Sequence, residues 1–283
     1  MAFGISPIDP GRVVRLYKLI EGASLVRMTV SAERFQKATI IFRKDHTEDL
    51  WSIRVRPEVP LVFKPGQYAT LGIEEEGKVV ERSYSICSSP HETEVEFFFE
   101  LVMRGRVTPP LYHRQVGDTL LMRRNAKGTF TLDGRVGHKD YLLVCTVTGV
   151  APYVSMARTL AREARLGHHS GAKLVVLQAA SRSWEFAYRD ELESLAREFP
   201  WIQYVPVVSR PWEDPEWKGE VGRVEDILRK YIDEFKLLPP QTTVYLCGHP
   251  QMIENGKGIL RRRGFSRESI RGEVYWAPQR EAS

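Results

Sequence analysis

The chain has 283 residues, which at roughly 150 residues per domain is enough for two domains, each with its own core. A composition of 42% hydrophobic, 27% charged and 10% aromatic residues excludes disordered, collagen-like and disulfide-scaffold classes. Lys and Arg number 41 against 36 Asp and Glu, for a net charge of +5 and an isoelectric point near 9.1; this mild excess suits an acidic partner and does not by itself indicate nucleic acid.

Met1 to Pro10 lacks the basic-then-apolar pattern of a secretory leader. The longest uncharged apolar run, Tyr141 to Ala157, is short and broken by Gly149 and Pro152, so no integral membrane segment is expected. Cys87, Cys145 and Cys247 are far apart and odd in number. They predict neither a disulfide framework nor a metal site, and they fit a reducing cytoplasm.

Residues 1–35 form an N-terminal extension, in which Val26–Phe35 reads equally as strand or helix. From residue 36 to 137 the chain reads as short β segments: Lys37–Phe42, Leu50–Arg56, Tyr68–Ile73, Val79–Cys87, Val95–Val102, Thr119–Arg123 and Thr129–Leu132. Pro65-Gly66, Glu76-Gly77 and Gly117-Asp118 punctuate them, and one helical turn, Thr108 to Gln115, interrupts the series. This spacing predicts a closed antiparallel β-barrel. The polar stretch Asp133 to Lys139 marks the boundary. From 138 to 283 strand and helix alternate: strands Tyr141–Cys145, Lys173–Ala180, Ile202–Val208, Thr243–Cys247 and Ile270–Tyr275, helices Tyr153–Arg165, Tyr188–Phe199, Val224–Phe235 and Gln251–Arg263. The expectation is a β plus α/β protein whose second domain is a five-stranded parallel sheet covered on both faces, with ligands at the carboxyl ends of its strands.

Five constellations carry chemistry. In Arg82-Ser83-Tyr84-Ser85-Ile86-Cys87, strand alternation puts Arg82, Tyr84 and Ile86 on one face and Ser83, Ser85 and Cys87 on the other. An arginine fork suits a diphosphate and a tyrosine ring suits a flat aromatic ligand, although an ordinary barrel strand would read the same way. Gly105-Arg106-Val107-Thr108-Pro109 has the form of a helix start with free backbone N–H groups, an anion site or merely a cap. Thr146-Val147-Thr148-Gly149-Val150-Ala151-Pro152 joins a strand to a helix, where glycine lets a phosphate approach the backbone; many such turns are only turns. Cys247-Gly248-His249-Pro250-Gln251-Met252 does the same at a second strand end, with a cysteine whose default role is packing. Glu273-Val274-Tyr275-Trp276 closes the last strand.

Taken together and in this order, Arg-x-Tyr-Ser, Gly-x-x-Thr, Thr-Gly-x-Ala-Pro, Cys-Gly-x-Pro-x-Met and Glu-x-Tyr-Trp resemble the ferredoxin–NADP reductases, the bacterial flavodoxin/ferredoxin reductases above all, over roughly Gln36 to Trp276. The resemblance implies FAD on the barrel and NADP(H) on the parallel sheet. It implies that Arg82 grips the FAD pyrophosphate, Tyr84 stacks on the isoalloxazine, Ser85 sits beside flavin N5, and Arg106, Val107 and Thr108 complete the pyrophosphate site. Tyr275, with Trp276 beside it, would cover the other flavin face, and Ser85, Cys247, Glu273 and Tyr275 would surround the hydride-transfer centre. Thr148, Gly149 and Pro152 match the coenzyme pyrophosphate turn, and Gly248 and Pro250 the nicotinamide side.

NADP rather than NAD is expected because the second strand ends Ala180-Ser181-Arg182 with no carboxylate before Glu185, and Arg182, Ser181, Arg210 and Arg223 are available to a 2′-phosphate. Tyr188 is placed on or near the adenine. Three departures from the family pattern stand out: Val147 where many members have glycine, Arg182 one position later than usual, and the tail Ala277 to Ser283. The implied activity is exchange of electrons between NADP(H), as hydride, and a one-electron carrier, an acidic ferredoxin or flavodoxin docked on basic clusters such as Arg123-Arg124 and Arg261-Arg262-Arg263. The alternatives are a reductase component of an oxygenase or haem system, and a flavin-free binding or regulatory module on the same scaffold. No nucleic-acid partner is expected.

Overall fold

The computed structural model describes residues 34–75, 77–132, 138–168 and 171–275. The segment up to residue 33, the 133–137 linker, and Trp276 with the tail that follows it lie outside the described residues.

The first half is an antiparallel sheet of β1 (Phe35–Asp45), β2 (Leu50–Pro57), β3 (Tyr68–Glu75), β4 (Lys78–Ser85), β5 (Val95–Glu100) and β6 (Thr119–Arg123), with α1 (Thr108–Tyr112) between the last two strands. The strand order is β4-β3-β6-β1-β2-β5. Its two edges meet just past Ser85, where Ile86 bridges Phe97 and the Cys87 N–H donates to the Glu96 carbonyl at 2.8 Å, so the sheet closes on itself. Trp51, Ile53 and Val55 of β2 alternate inward and stack with Phe97 and Phe99 in the barrel, the rings of Trp51 and Phe99 lying 5.2 Å apart. Each such side chain contributes roughly 1.5–3 kcal/mol by leaving water. The seventh strand expected at Thr129–Leu132 does not form. Gly128 adopts φ +107°, which ends the extended run after Lys127 bridges Tyr68, and the Thr131 carbonyl is taken by the second half of the molecule.

The second half runs β7 (Asp140–Thr146), α2 (Ala151–Arg165), β8 (Leu174–Ala180), α3 (Arg189–Glu198), β9 (Ile202–Val208), β10 (Glu220–Val221), α4 (Val224–Glu234), β11 (Thr242–Gly248), α5 (Pro250–Arg262) and β12 (Ile270–Val274). These strands form one parallel sheet in the order β10-β9-β8-β7-β11-β12. It has six strands where five were expected. The extra one is β10, two residues that pair with Val207 and Val208 and are too short for a periodicity to register. Strand order reverses between β7 and β11, so the carboxyl ends of these two strands open the crevice in which such sheets bind ligands.

Strand β5 joins the halves. Its sequence, Val-Glu-Phe-Phe-Phe-Glu, is buried along nearly its whole length because both faces are covered: Phe97 and Phe99 fill the barrel, while Glu96 and Phe98 face the parallel-sheet half. The Glu96 carboxylate, 6% exposed, accepts from Arg158 of α2 at 2.8 Å, from Arg54 at 3.1 Å and from the Tyr188 hydroxyl at 2.8 Å. Arg158 also reaches the Cys87 carbonyl and the Glu191 carboxylate. Burial is the largest single influence and would raise the Glu96 pKa, but Arg158, Arg54 and the Tyr188 hydroxyl together hold the carboxyl below its ordinary range. Ser155 to the Ser88 carbonyl and Thr159 to Ser89 extend the seam.

Removing one partner of a buried pair strands the other charge, which typically costs 3–5 kcal/mol. Arg158→Ala is expected to destabilise by about 3 kcal/mol, the low end because Arg54 and Tyr188 still serve Glu96, and urea unfolding will measure it. His46 packs against Phe98 and Tyr188 and bonds the Ser52 hydroxyl at 3.0 Å; burial, with Lys44 nearby, lowers its pKa to about 4. The folded state therefore holds it neutral, and its contribution is complete above the unfolded value near 6.5 and is lost as pH falls toward 4. The urea midpoint should drop across that window more steeply in the wild type than in His46→Gln.

Candidate functional site

Three strand ends meet at the seam. Ser85, the last residue of β4, is buried, and its hydroxyl donates to Glu273 of β12 at 3.0 Å. Cys247 of β11 is in register with Glu273. Tyr275 follows β12 directly, its N–H donating to the Gly248 carbonyl at 3.2 Å and its hydroxyl near Ser85 and Cys247, with the residue 36% exposed. Burial raises the Glu273 pKa, with the Ser85 hydrogen bond opposing it. Burial also pushes the Cys247 thiol well up, assisted by Glu273 and Cys145, so Cys247 is a protonated thiol at neutral pH and not a thiolate nucleophile. A cavity of about 510 Å³ lined by Tyr68, Phe130, Arg271 and Glu273 adjoins the cluster. A larger one, about 730 Å³, lies along β9 and β10 against Trp217 and Tyr231, and no candidate residue lines it.

Strand alternation is realised in β4 as the sequence implies. Ile86 enters the barrel core with Tyr84 packed at its margin, while Ser85 and Cys87 turn toward the second half. Tyr84 is half-buried and meets the Phe99 ring edge-on at 4.8 Å, which fixes its plane. Arg82 is exposed, and among the described residues its guanidinium touches only the Glu81 carbonyl. The second constellation differs from its expectation in detail. Arg106 pairs with Glu75, Val107 is buried in the barrel core, and the Thr108 hydroxyl bonds the Val102 backbone, so the side chains of Val107 and Thr108 face inward. What this turn can offer an anion is its backbone N–H groups, which no helical turn precedes.

At the β7 turn Gly149 and Pro152 are both buried. A Cβ on Gly149 would lie 2.4 Å from the Cys247 carbonyl, so the neighbouring strand end by itself already requires glycine here. Thr148 is partly exposed at the same turn. Val147 takes φ +39°, a left-handed conformation that costs a β-branched residue roughly 1–2 kcal/mol and that glycine would adopt freely. Gly248 takes φ +125° and lies against Thr146, whose hydroxyl accepts the His249 N–H at 3.0 Å before Pro250 opens α5.

At the ends of β8 and β9 the arginines are paired. Arg182 binds Glu185 at 3.0 Å and also Glu213, while Arg210 lies 3.6 Å from Glu213. Glu185 also accepts the Ser181 N–H at 2.8 Å, and buried Asp214 accepts the Ser183 N–H at 2.8 Å. The second strand end does have carboxylates, supplied through space by Glu185 and by the Pro211-Trp212-Glu213-Asp214 run after β9, which sequence reading passed over. Arg223, exposed, caps α4 at the same sheet edge. Tyr188 is misplaced by the sequence reading: it is 5% exposed, its ring against Phe98 and its hydroxyl on Glu96, so it belongs to the seam and cannot reach an adenine. Exposed Trp184 and Trp212 flank the arginines instead.

Arg123 is held by Glu81, and Arg261–Arg263 sit at the far end of α5, about 18 Å along the helix axis from the site edge at 1.5 Å per residue. Among the described residues no helix is long and apolar enough to cross a membrane.

A closed antiparallel barrel joined to a parallel sheet, with a polar cluster where they meet, defines a two-domain oxidoreductase, and residues 143–257 match the family model for the oxidoreductase NAD-binding domain. The chain is 30% identical to the sulfhydrogenase 1 subunit gamma of Pyrococcus furiosus, over 83% of this chain and 76% of that one. It is 26% identical to the flavodoxin/ferredoxin–NADP reductase of Buchnera aphidicola, over 84% and 98%. A ferredoxin NADP+ reductase from Neisseria gonorrhoeae, solved with bound FAD and NADP, superposes with a TM-score of 0.74 at 26% identity, covering 86% of this chain and 99% of that one. The chain belongs to the ferredoxin–NADP reductase family.

Gly149→Ala should destabilise by about 2 kcal/mol, because the new methyl meets rigid backbone. Gly258→Ala, whose new methyl would meet only the flexible Arg262 side chain at ordinary contact distance, should stabilise by about 0.5–1 kcal/mol through helix propensity. Thermal or urea unfolding of both variants checks the contrast.

Proposed function

We propose that this chain is an FAD-dependent oxidoreductase that exchanges electrons between NADP(H) and a one-electron carrier of the ferredoxin or flavodoxin kind. The observation that carries the reading is the convergence of Ser85, Cys247, Glu273 and Tyr275 from three strand ends of two sheets, with Tyr84 one residue from Ser85 on the other face of β4. The residues fit a flavin. Tyr84 is a ring of fixed plane on an open strand, Arg82 lacks a carboxylate partner among the described residues, and a cavity adjoins Glu273.

The flavin supplies the step from paired to single electrons, since it takes up a hydride and releases electrons one at a time. Everything else is positioning. Arg82 and the backbone N–H groups of Arg106 to Thr108 hold the diphosphate, and Tyr84 supports the isoalloxazine. Ser85, oriented by Glu273, presents its hydroxyl at the ring edge, and Cys247 adds a thiol proton rather than a charge. Tyr275, at the end of the last strand, would cover the outer face of the flavin, and a nicotinamide would have to displace it to reach the ring. Thr148 and the turns at Gly149 and Gly248 bring backbone to the coenzyme, Pro152 and Pro250 start the helices behind them, and Trp184 or Trp212 takes the adenine that Tyr188 cannot. Trp276 follows Tyr275 in this role. The chain is proposed to act in the cytoplasm, in keeping with three buried free cysteines.

The test is stopped-flow reduction of the purified protein, supplied with FAD, by NADPH, followed by addition of ferredoxin or flavodoxin. Yellow protein that bleaches with NADPH and recovers with the carrier supports the reading, whereas protein that retains no flavin overturns it. Tyr275→Ser should strengthen the long-wavelength charge-transfer band between nicotinamide and flavin; an unchanged spectrum would remove Tyr275 from the stack.

A further inference from the structure

The loops after β8 and β9 are cross-linked by charge. Arg182 carries Glu185 on one guanidinium nitrogen and Glu213 on another, Arg210 approaches Glu213, and the N–H groups of Ser181 and Ser183 are taken by Glu185 and Asp214. Two carboxylates thus face two guanidiniums at the end of the second strand, with Asp214 on a backbone N–H beside them, where the coenzyme's adenosine ribose would lie under the function proposed above, on which this inference rests. Of the arginines available to a 2′-phosphate, Arg182 already holds two carboxylates and Arg210 lies close to one, while exposed Arg223 has no carboxylate partner among the described residues. A dianionic phosphate on Arg182 must compete with those carboxylates and lie beside them, whereas a ribose diol can donate its hydroxyls to the same oxygens without breaking a pair. Glu185 is well placed for this, since its side chain is 14% exposed and is held by both Arg182 and the Ser181 N–H. Glu213 comes from a different loop and is 32% exposed, so it can be altered with little risk to the fold.

We infer that Glu185 and Glu213 are coenzyme-selectivity determinants that neutralise Arg182 and Arg210, so that this chain accepts NADH and NADPH with comparable efficiency. Glu185 does so by standing in for the acidic residue of a diol-binding strand end. Glu213 does so by occupying the arginines.

The experiment compares the flavin-loaded wild type with Glu213→Gln and Glu185→Gln. Dissociation constants of NADP+ and NAD+ are read by titration calorimetry, and kcat/KM for NADPH and NADH by flavin reduction. In the wild type the two coenzymes should differ by less than about tenfold. Glu213→Gln should shift the ratio toward NADP(H) by about tenfold with NAD+ affinity unchanged, and Glu185→Gln should shift it further while weakening NAD+, as expected for loss of one charge-assisted contact. A wild-type preference for NADPH beyond a hundredfold, or ratios unmoved in both variants, overturns the inference. Failure of either coenzyme to reduce the flavin would count against the proposed function instead, and the calorimetric ratio would still be readable.

Discussion

The buried pair between Glu96 and Arg158 is the interaction on which the rest depends. One partner comes from the last barrel strand before α1 and the other from the first helix of the parallel-sheet half, and both are shielded from water. A buried ion pair is a weak source of net stability, because desolvation offsets most of the attraction, but it is intolerant of displacement. That intolerance matters here because the candidate site belongs to neither half alone. Ser85 is at the end of a barrel strand and Glu273 in the last strand of the parallel sheet, and the 3.0 Å between them exists only while the seam holds its register. Tyr188, Ser155 and Thr159 tie further points of the same seam, so orientation is over-determined rather than left to a hinge.

Much of this was legible in the sequence, for identifiable reasons. Period-two alternation in β4 separated Tyr84 from Ser85, and the structure keeps that division. The order of strands and helices after residue 138 implied a parallel sheet, and its strand ends brought Cys247 and Glu273 into register. What sequence could not show was through-space pairing. Tyr188 reads as an exposed aromatic at a helix start, yet a glutamate 92 residues earlier buries it. Arg182 and Arg210 read as free cations, yet Glu213 pairs with both from the loop after β9. The two-residue β10 and the absent seventh barrel strand were lost to brevity and to a single glycine torsion at Gly128.

The Ser85 cluster and the Arg182 cluster are built on different physics. At the Ser85 end burial disfavours charge: it raises the Glu273 carboxyl above its ordinary value, against the Ser85 hydrogen bond, and pushes the Cys247 thiol well up. At the Arg182 end the groups stay partly exposed and charged, and selectivity is set by how completely carboxylates satisfy the arginines. The strained Val147 sits at the turn after β7, where glycine would relax.

The central claim is a flat ring system clasped between Tyr84 and Tyr275. A crystal structure of the protein grown with FAD tests it most directly. The account predicts the isoalloxazine stacked on Tyr84 with the Ser85 hydroxyl at its edge and the diphosphate on Arg82. Density for the flavin elsewhere, or a crevice in which Tyr275 closes onto Tyr84 and leaves no space for three fused rings, would contradict it.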